Sequence, residues 1–156
     1  MALAVGDHAP ALSLPGIDAG VRRDYTLAEF AGRPVVLAFY PGDNTPVCTK
    51  QLCSYTSDLD AFTALDAQVL GISPQSVDSH EGFAAKQSLG FPLLADEAKD
   101  AARAFGVLGL AGQYRRAVFV IDATGTVAYA HCAPLVGVTY KPSADLLAAI
   151  RAAAGA

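Results

Sequence analysis

The chain has 156 residues, of which 53% are hydrophobic and 17% charged, with a formal net charge of −4. This is long enough for one domain with a proper core, and the composition excludes an intrinsically disordered chain. An acidic balance with no Lys/Arg cluster argues against a nucleic-acid partner, no apolar run is long enough for a membrane span, and three cysteines are too few for a secreted disulfide scaffold.

The start, Met1-Ala2-Leu3-Ala4-Val5-Gly6-Asp7, has neither a basic segment nor a long apolar stretch. No signal peptide is expected, and a reducing, cytoplasmic setting fits, with the cysteines kept for chemistry. No repeat, linker or low-complexity stretch divides the chain, so residues 1–156 read as a single domain.

In chain order, Thr26-Leu27-Ala28-Glu29 has the form of a capping box, opening a short helix that Gly32 closes. Pro34–Tyr40 reads as a buried strand, apolar from Val35 to Tyr40. It breaks at Pro41-Gly42 and passes through Asp43-Asn44-Thr45-Pro46 into a helical pattern. Thr45 is a good N-cap and Pro46 a good first helical residue, since proline has no N–H to leave unpaired there. The helix is predicted from Pro46 to about Leu65, with Leu52, Tyr55, Leu59 and Phe62 on one core-facing stripe. Cys48 falls in its first turn, where unpaired N–H groups and the helix dipole favour a thiolate. Lying four residues before Leu52, its sulfur points along the buried side.

Gln68–Ser73 reads as a second strand, Ser76–Leu89 as a helix, Phe91–Ala95 as a short strand and Ala98–Phe105 as a helix ended by Gly106. Ala117–Asp122 and Thr126–His131 form a predicted hairpin around Ala123-Thr124-Gly125. Ser143 is expected to cap a last, alanine-rich helix. Strands alternating with helices, finished by a hairpin and a helix, predict an α/β fold with the sheet in the middle.

Pro41, Thr45 and Cys48 match the P-x-x-x-T-x-x-C pattern of the peroxiredoxins, the thiol peroxidases. The fuller string Y-P-x-D-x-T-P-x-C-T, from Tyr40 to Thr49, resembles the Q-type branch, also called bacterioferritin comigratory proteins. Val5-Gly6-Asp7-His8-Ala9-Pro10 resembles that family's opening, and Arg115 to Asp122 its later strand with the active-site arginine, so the resemblance runs nearly end to end. It implies a thioredoxin-like fold, with a central mixed β-sheet flanked by helices and an N-terminal extension. It also implies reduction of hydrogen peroxide and organic hydroperoxides without a cofactor or metal, re-reduction by thioredoxin or a similar dithiol protein, and a monomer or weak homodimer.

Peroxide reduction requires a thiolate to attack one oxygen while the other departs with negative charge. A free cysteine is a few per cent ionised at neutral pH, so complete ionisation gains at most about thirtyfold in rate. The larger contribution must come from donors aimed at the developing charge. Arg116 and Thr45, with the backbone N–H of Cys48, are the candidates. Strand alternation puts Arg115 and Arg116 on opposite faces, and the family's R-x-x-F-x-I-D spacing selects Arg116. Pro41 is expected to pack over the thiolate and exclude water. Thr45 has two open readings, a helix cap or a contact to peroxide.

Cys53 matches the resolving cysteine of many Q-type relatives. Residues five apart on an ideal helix have Cα atoms roughly 8.7 Å apart and point about 140° away from each other, whereas disulfides rarely exceed about 7 Å. The first turns of the helix are therefore expected to unwind on oxidation, with Thr49-Lys50-Gln51 its most exposed and least apolar segment. Cys132 is read as packing in the hairpin strand, with an alternative resolving role open. His131 and Cys132, adjacent on a strand, face opposite ways and make a poor metal pair. His8 and His80 are expected to face solvent, Gln51 is read as an exposed helix residue in preference to a polar support for the site, and Tyr40 and Asp43 have no assigned step. The short, apolar-rich stretch from Val107 to Tyr114 departs from many Q-type relatives, and an exposed loop at Leu108–Leu110 would permit a dimer. Two other readings remain: a general disulfide oxidoreductase, which would want C-x-x-C, and a non-enzymatic redox sensor.

Overall fold

The computed structural model describes residues 3–109, 112–133 and 140–154. Its strands are β1 (Ser13–Asp18), β2 (Val21–Thr26), β3 (Val35–Phe39), β4 (Gln68–Ser73), β5 (Leu93–Ala95), β6 (Ala117–Ile121) and β7 (Val127–Cys132). They form one mixed sheet in the order β2-β1-β5-β4-β3-β6-β7. The apolar run of β3 is central because it must be buried on both faces. It pairs in parallel with β4 and antiparallel with β6, with Phe39 opposite Ala117.

The helices are α1 (Pro46–Ser57), α2 (Leu59–Ala64), α3 (Val77–Gln87), α4 (Asp100–Phe105) and α5 (Ser143–Ala154), with a short 3-10 helix at Leu27–Phe30. Strand alternation divides the core in two. Val36, Ala38, Tyr40 and Val118 face Cys48, Leu52, Tyr55, Phe62, Phe83 and Ile150, so α1, α2, α3 and α5 cover one side. Leu37, Phe39 and Phe119 face Phe30, Ala102 and Phe105, so the 3-10 helix and α4 cover the other. No helix among the described residues is long and apolar enough to cross a membrane.

Several boundaries differ from expectation. The β1–β2 hairpin reads poorly in sequence because Pro15 and Gly16 interrupt β1, while Arg22, Arg23 and Asp24 make β2 polar. β2 is an edge strand, where charge guards the open ladder. Gly16 is needed for close approach: a Cβ there would lie 2.8 Å from the Leu93 carbonyl oxygen and 2.9 Å from the Tyr25 ring.

The long helix expected from Pro46 to Leu65 is two helices, broken at Asp58, which ends α1 and starts α2. Ser54, Thr56, Ser57 and Asp58 crowd this point with side chains that compete for backbone hydrogen bonds. The capping box at Thr26 and Glu29 forms as read, although Ala31 is the cap and Gly32 follows it at φ 92°. Strand β5 starts only after Pro92, and α4 starts at Asp100 because Asp96 accepts from the Ala101 and Ala102 N–H groups. Ser143 is the first residue of α5 and does not cap it through its side chain: the buried hydroxyl has no partner among the described residues.

Candidate active site

The topology brings distant residues together. The carboxyl end of β3 opens into Pro41–Thr45, and β6 runs antiparallel beside it, so its amino end meets the same edge of the sheet. Arg116 immediately precedes β6 there, and its Nη2 donates to the Cys48 Sγ at 3.1 Å across 68 positions of sequence. Its Nη1 donates to Gln51 Oε1 at 2.6 Å. Arg116 is 5% exposed and its Nε has no partner among the described residues. A buried donor without a partner costs about 1–3 kcal/mol, unless a substrate supplies the acceptor.

Cys48 is buried in the first turn of α1. The Thr49 N–H donates to the Thr45 carbonyl at 2.9 Å, so the Cys48 N–H lies ahead of the helical ladder and is free of it. Pro46 occupies the start of the helix, as read from sequence. Thr45 occupies the N-cap position with no side-chain capping bond. Its hydroxyl instead donates to the Gly42 carbonyl at 3.0 Å. With its one hydrogen used, this exposed hydroxyl keeps only acceptor capacity. Pro41 is half-buried at the exit of the strand.

Gln51 is not an exposed helix residue. It is 1% exposed, accepts from Arg116, and donates from Nε2 to the Tyr55 hydroxyl at 3.2 Å. Tyr55 in turn donates to the Lys141 carbonyl at 2.6 Å. Burial pushes the Tyr55 phenol up to about 12, against the opposing hydrogen bond from Gln51, so it stays a donor at neutral pH. Cys48, Gln51, Leu52 and Tyr55 share one face by the i, i+3, i+4, i+7 rule, which was the sequence signal for Gln51.

His80 is also placed differently from expectation. It is fully buried, with Nδ1 2.7 Å from Asp43 Oδ2 and Nε2 2.9 Å from the Leu94 carbonyl oxygen. Three residues before the buried Phe83, it lies on the inward stripe of α3. The Tyr40 hydroxyl donates to Asp43 Oδ1 and Ser79 Oγ donates to Oδ2, each at 2.7 Å. Burial would push the Asp43 carboxyl up, but bonds from His80, Tyr40 and Ser79 outweigh it and hold the group below its usual value of 3.8. A depressed carboxyl contributes stability above that usual value and loses it as pH falls through the lower, folded one. Asp43→Asn is therefore expected to cost about 1–3 kcal/mol near neutral pH. Thermal melts from neutral pH down to about pH 3 should show a shallower acid-side loss for the variant than for wild type.

All three cysteines are free thiols. Cys53 is half-buried, and its Sγ lies 3.5 Å from Gln87 Oε1 on α3. Cys132 packs against the sheet face opposite the one that buries Cys48. Burial pushes its thiol up, only partly offset by Arg115, which disfavours its thiolate. Arg115 points away, donating from Nε to the Ala133 carbonyl at 2.9 Å. His8 is exposed, as expected. No metal-binding cluster of His, Cys, Asp or Glu occurs among the described residues. Leu108 is partly buried against the core, so it is not part of an exposed apolar loop; Leu110 lies outside the described residues.

Comparison with known proteins agrees with this geometry. The profile of the AhpC/TSA family matches residues 5–130. Peroxiredoxin Bcp of Bacillus subtilis is 36% identical over 132 residues, covering 80% of this chain and 82% of that one. The chloroplastic peroxiredoxin Q of Gentiana triflora is 42% identical over 107 residues, 67% of this chain and 49% of its own. Among solved structures, the bacterioferritin comigratory protein of Xanthomonas campestris superposes with a TM-score of 0.77 at 32% identity, covering 90% of each chain. The fold is thus the thioredoxin-like one of these proteins, and the chain belongs to the AhpC/TSA family of peroxiredoxins, in its Q-type branch, as a thiol-dependent peroxidase.

Proposed function

We propose that Cys48 is the peroxidatic nucleophile, that Arg116 and Thr45 steady the reacting oxygens, that Pro41 shields the sulfur, and that Cys53 resolves the oxidised product. The observation that carries this reading is the Arg116 guanidinium, buried against the Cys48 sulfur with its Nε–H unpartnered among the described residues. Cys48 thiolate attacks one peroxide oxygen, the O–O bond breaks, and the far oxygen leaves as hydroxide or alkoxide that takes up a proton. The developing charge meets the fixed donors of Arg116, while Thr45 Oγ1 accepts from the attacked oxygen's hydrogen.

Cys48 is then a sulfenic acid, and the Cys53 thiol displaces water from it to form the Cys48–Cys53 disulfide. Thioredoxin or a similar dithiol protein reduces that bond, becoming oxidised itself. Hydrogen peroxide and organic hydroperoxides are both proposed substrates; the Xanthomonas relative is described by its alkyl peroxide reduction activity, which supports the second. We place the enzyme in the cytoplasm as a monomer or weak homodimer. The test is peroxide consumption with catalytic thioredoxin, thioredoxin reductase and NADPH, beside reduction of insulin disulfides. Turnover of peroxide without insulin reduction supports the reading; insulin reduction without peroxide turnover overturns it in favour of a disulfide oxidoreductase.

A further inference from the structure

The buried Asp43–His80 pair has no part in the chemistry above. Both side chains are fully buried, with exposures of 0%. The Leu94 carbonyl can only accept, so His80 Nε2 donates to it, and Nδ1 shares a hydrogen with Asp43 Oδ2. A pair buried in this way gains little net stability over an apolar pair of the same size, because desolvation offsets attraction. What it does supply is fixed geometry.

Asp43 sits two residues from Pro41 and two from Thr45, at the middle of the loop that flanks the sulfur. Its side chain is held by Tyr40, Ser79 and His80, and its backbone N–H donates to Gln75 Oε1. Three of these four partners belong to α3 or the turn before it, and His80 is itself fixed to β5 through Leu94. None belongs to α1. Unwinding of α1 would break the Gln51–Arg116 and Gln51–Tyr55 bonds, but it requires no change in the bonds around Asp43.

We propose that His80 is a positioning residue of the peroxidase: through Asp43 it clamps the Pro41–Thr45 loop to α3 and β5, so that loop keeps its geometry while α1 unwinds and reforms in each cycle. The clamp marks the upstream limit of the unwinding and sets the placement of Thr45 and Pro41 for peroxide attack. Its loss should slow attack without slowing disulfide formation, which needs only that α1 open.

This rests on Cys48 being the attacking sulfur. That premise is checked first with Cys53→Ser protein, where one equivalent of hydrogen peroxide must leave a dimedone-reactive sulfenic acid on Cys48; its absence refutes the premise before any clamp variant is compared. In the same background, His80→Gln should lower the second-order rate of sulfenic acid formation about ten- to a hundredfold, the scale of a small misplacement at a reacting centre. With Cys53 restored, disulfide formation from the sulfenic acid should not slow. Asp43→Asn combined with His80→Gln should be about as slow as the slower single variant, because both remove the same clamp.

Unchanged attack in His80→Gln, equal slowing of both steps, or multiplicative effects in the double variant would overturn the proposal. Should His80→Gln fail to fold, Ser79→Ala removes one bond to Asp43 and leaves the Asp43–His80 pair. Attack slowed about threefold, as for loss of one modest hydrogen bond, supports the clamp; unchanged attack overturns it.

Discussion

Arg116→Met is expected to lower the second-order rate of Cys48 oxidation by hydrogen peroxide about 10²–10³-fold, a loss of about 2.7–4 kcal/mol of transition-state stabilisation. The side chain touches the sulfur and carries a buried side-chain N–H with no partner among the described residues. It supplies a permanent charge in a planar fork, preorganised by Gln51 before substrate arrives. Arg116→Lys keeps the charge but cannot donate to Gln51 and to the Cys48 sulfur from two fixed directions. It should recover only part of the loss, which separates charge from geometry. Stopped-flow competition against a peroxidase of known rate measures both variants, and a fall below tenfold in Arg116→Met would remove the guanidinium from its proposed role.

Cys53→Ser is expected to leave the first oxidation unchanged while abolishing turnover with thioredoxin, by at least about a hundredfold once glutathione and other small thiols are excluded. The reasoning is one of chemistry and reach. Without a resolving thiol, the sulfenic acid persists and moves on to sulfinic acid under excess peroxide. In wild type the folded α1 keeps Cys48 and Cys53 apart, roughly 8.7 Å between Cα atoms on ideal geometry, against a limit of about 7 Å. Disulfide formation therefore requires α1 to open. Opening breaks the Gln51–Arg116 bond and, with it, the support of the peroxide site. On the proposed roles of Cys48 and Cys53, attack and resolution thus demand incompatible arrangements of the same helix. Amide hydrogen exchange of the oxidised protein should show lost protection across the first turns of α1, with β3 and β6 unaffected.

Much of this was legible in the sequence because it was local. The apolar block ending at Tyr40, the Pro41-to-Cys48 string and the Pro46 helix start depend on neighbours within a few positions, and they stand as read. Strand alternation together with the family spacing singles out Arg116, and its meeting with Cys48 follows from the β3–β6 pairing. What escaped was decided by tertiary contact. Gln51 and His80 are polar residues on apolar stripes, where position outweighs polarity; each is buried because a partner waits for it. The break at Asp58 and the β1–β2 hairpin were missed for a different reason. Leu59 and Phe62 continued the helical period of α1 across a real interruption, and an edge strand rich in charge has no apolar alternation to read.

The most direct measurement is intact mass after one equivalent of hydrogen peroxide on wild type, Cys53→Ser and Cys132→Ser proteins. Wild type and Cys132→Ser should each lose two hydrogens, with peptide mapping placing the new bond between Cys48 and Cys53, while Cys53→Ser gains one oxygen on Cys48. A sulfenic acid trapped in Cys132→Ser in place of Cys53→Ser, or a Cys48 left unmodified in all three, would contradict the assignment of these sulfurs.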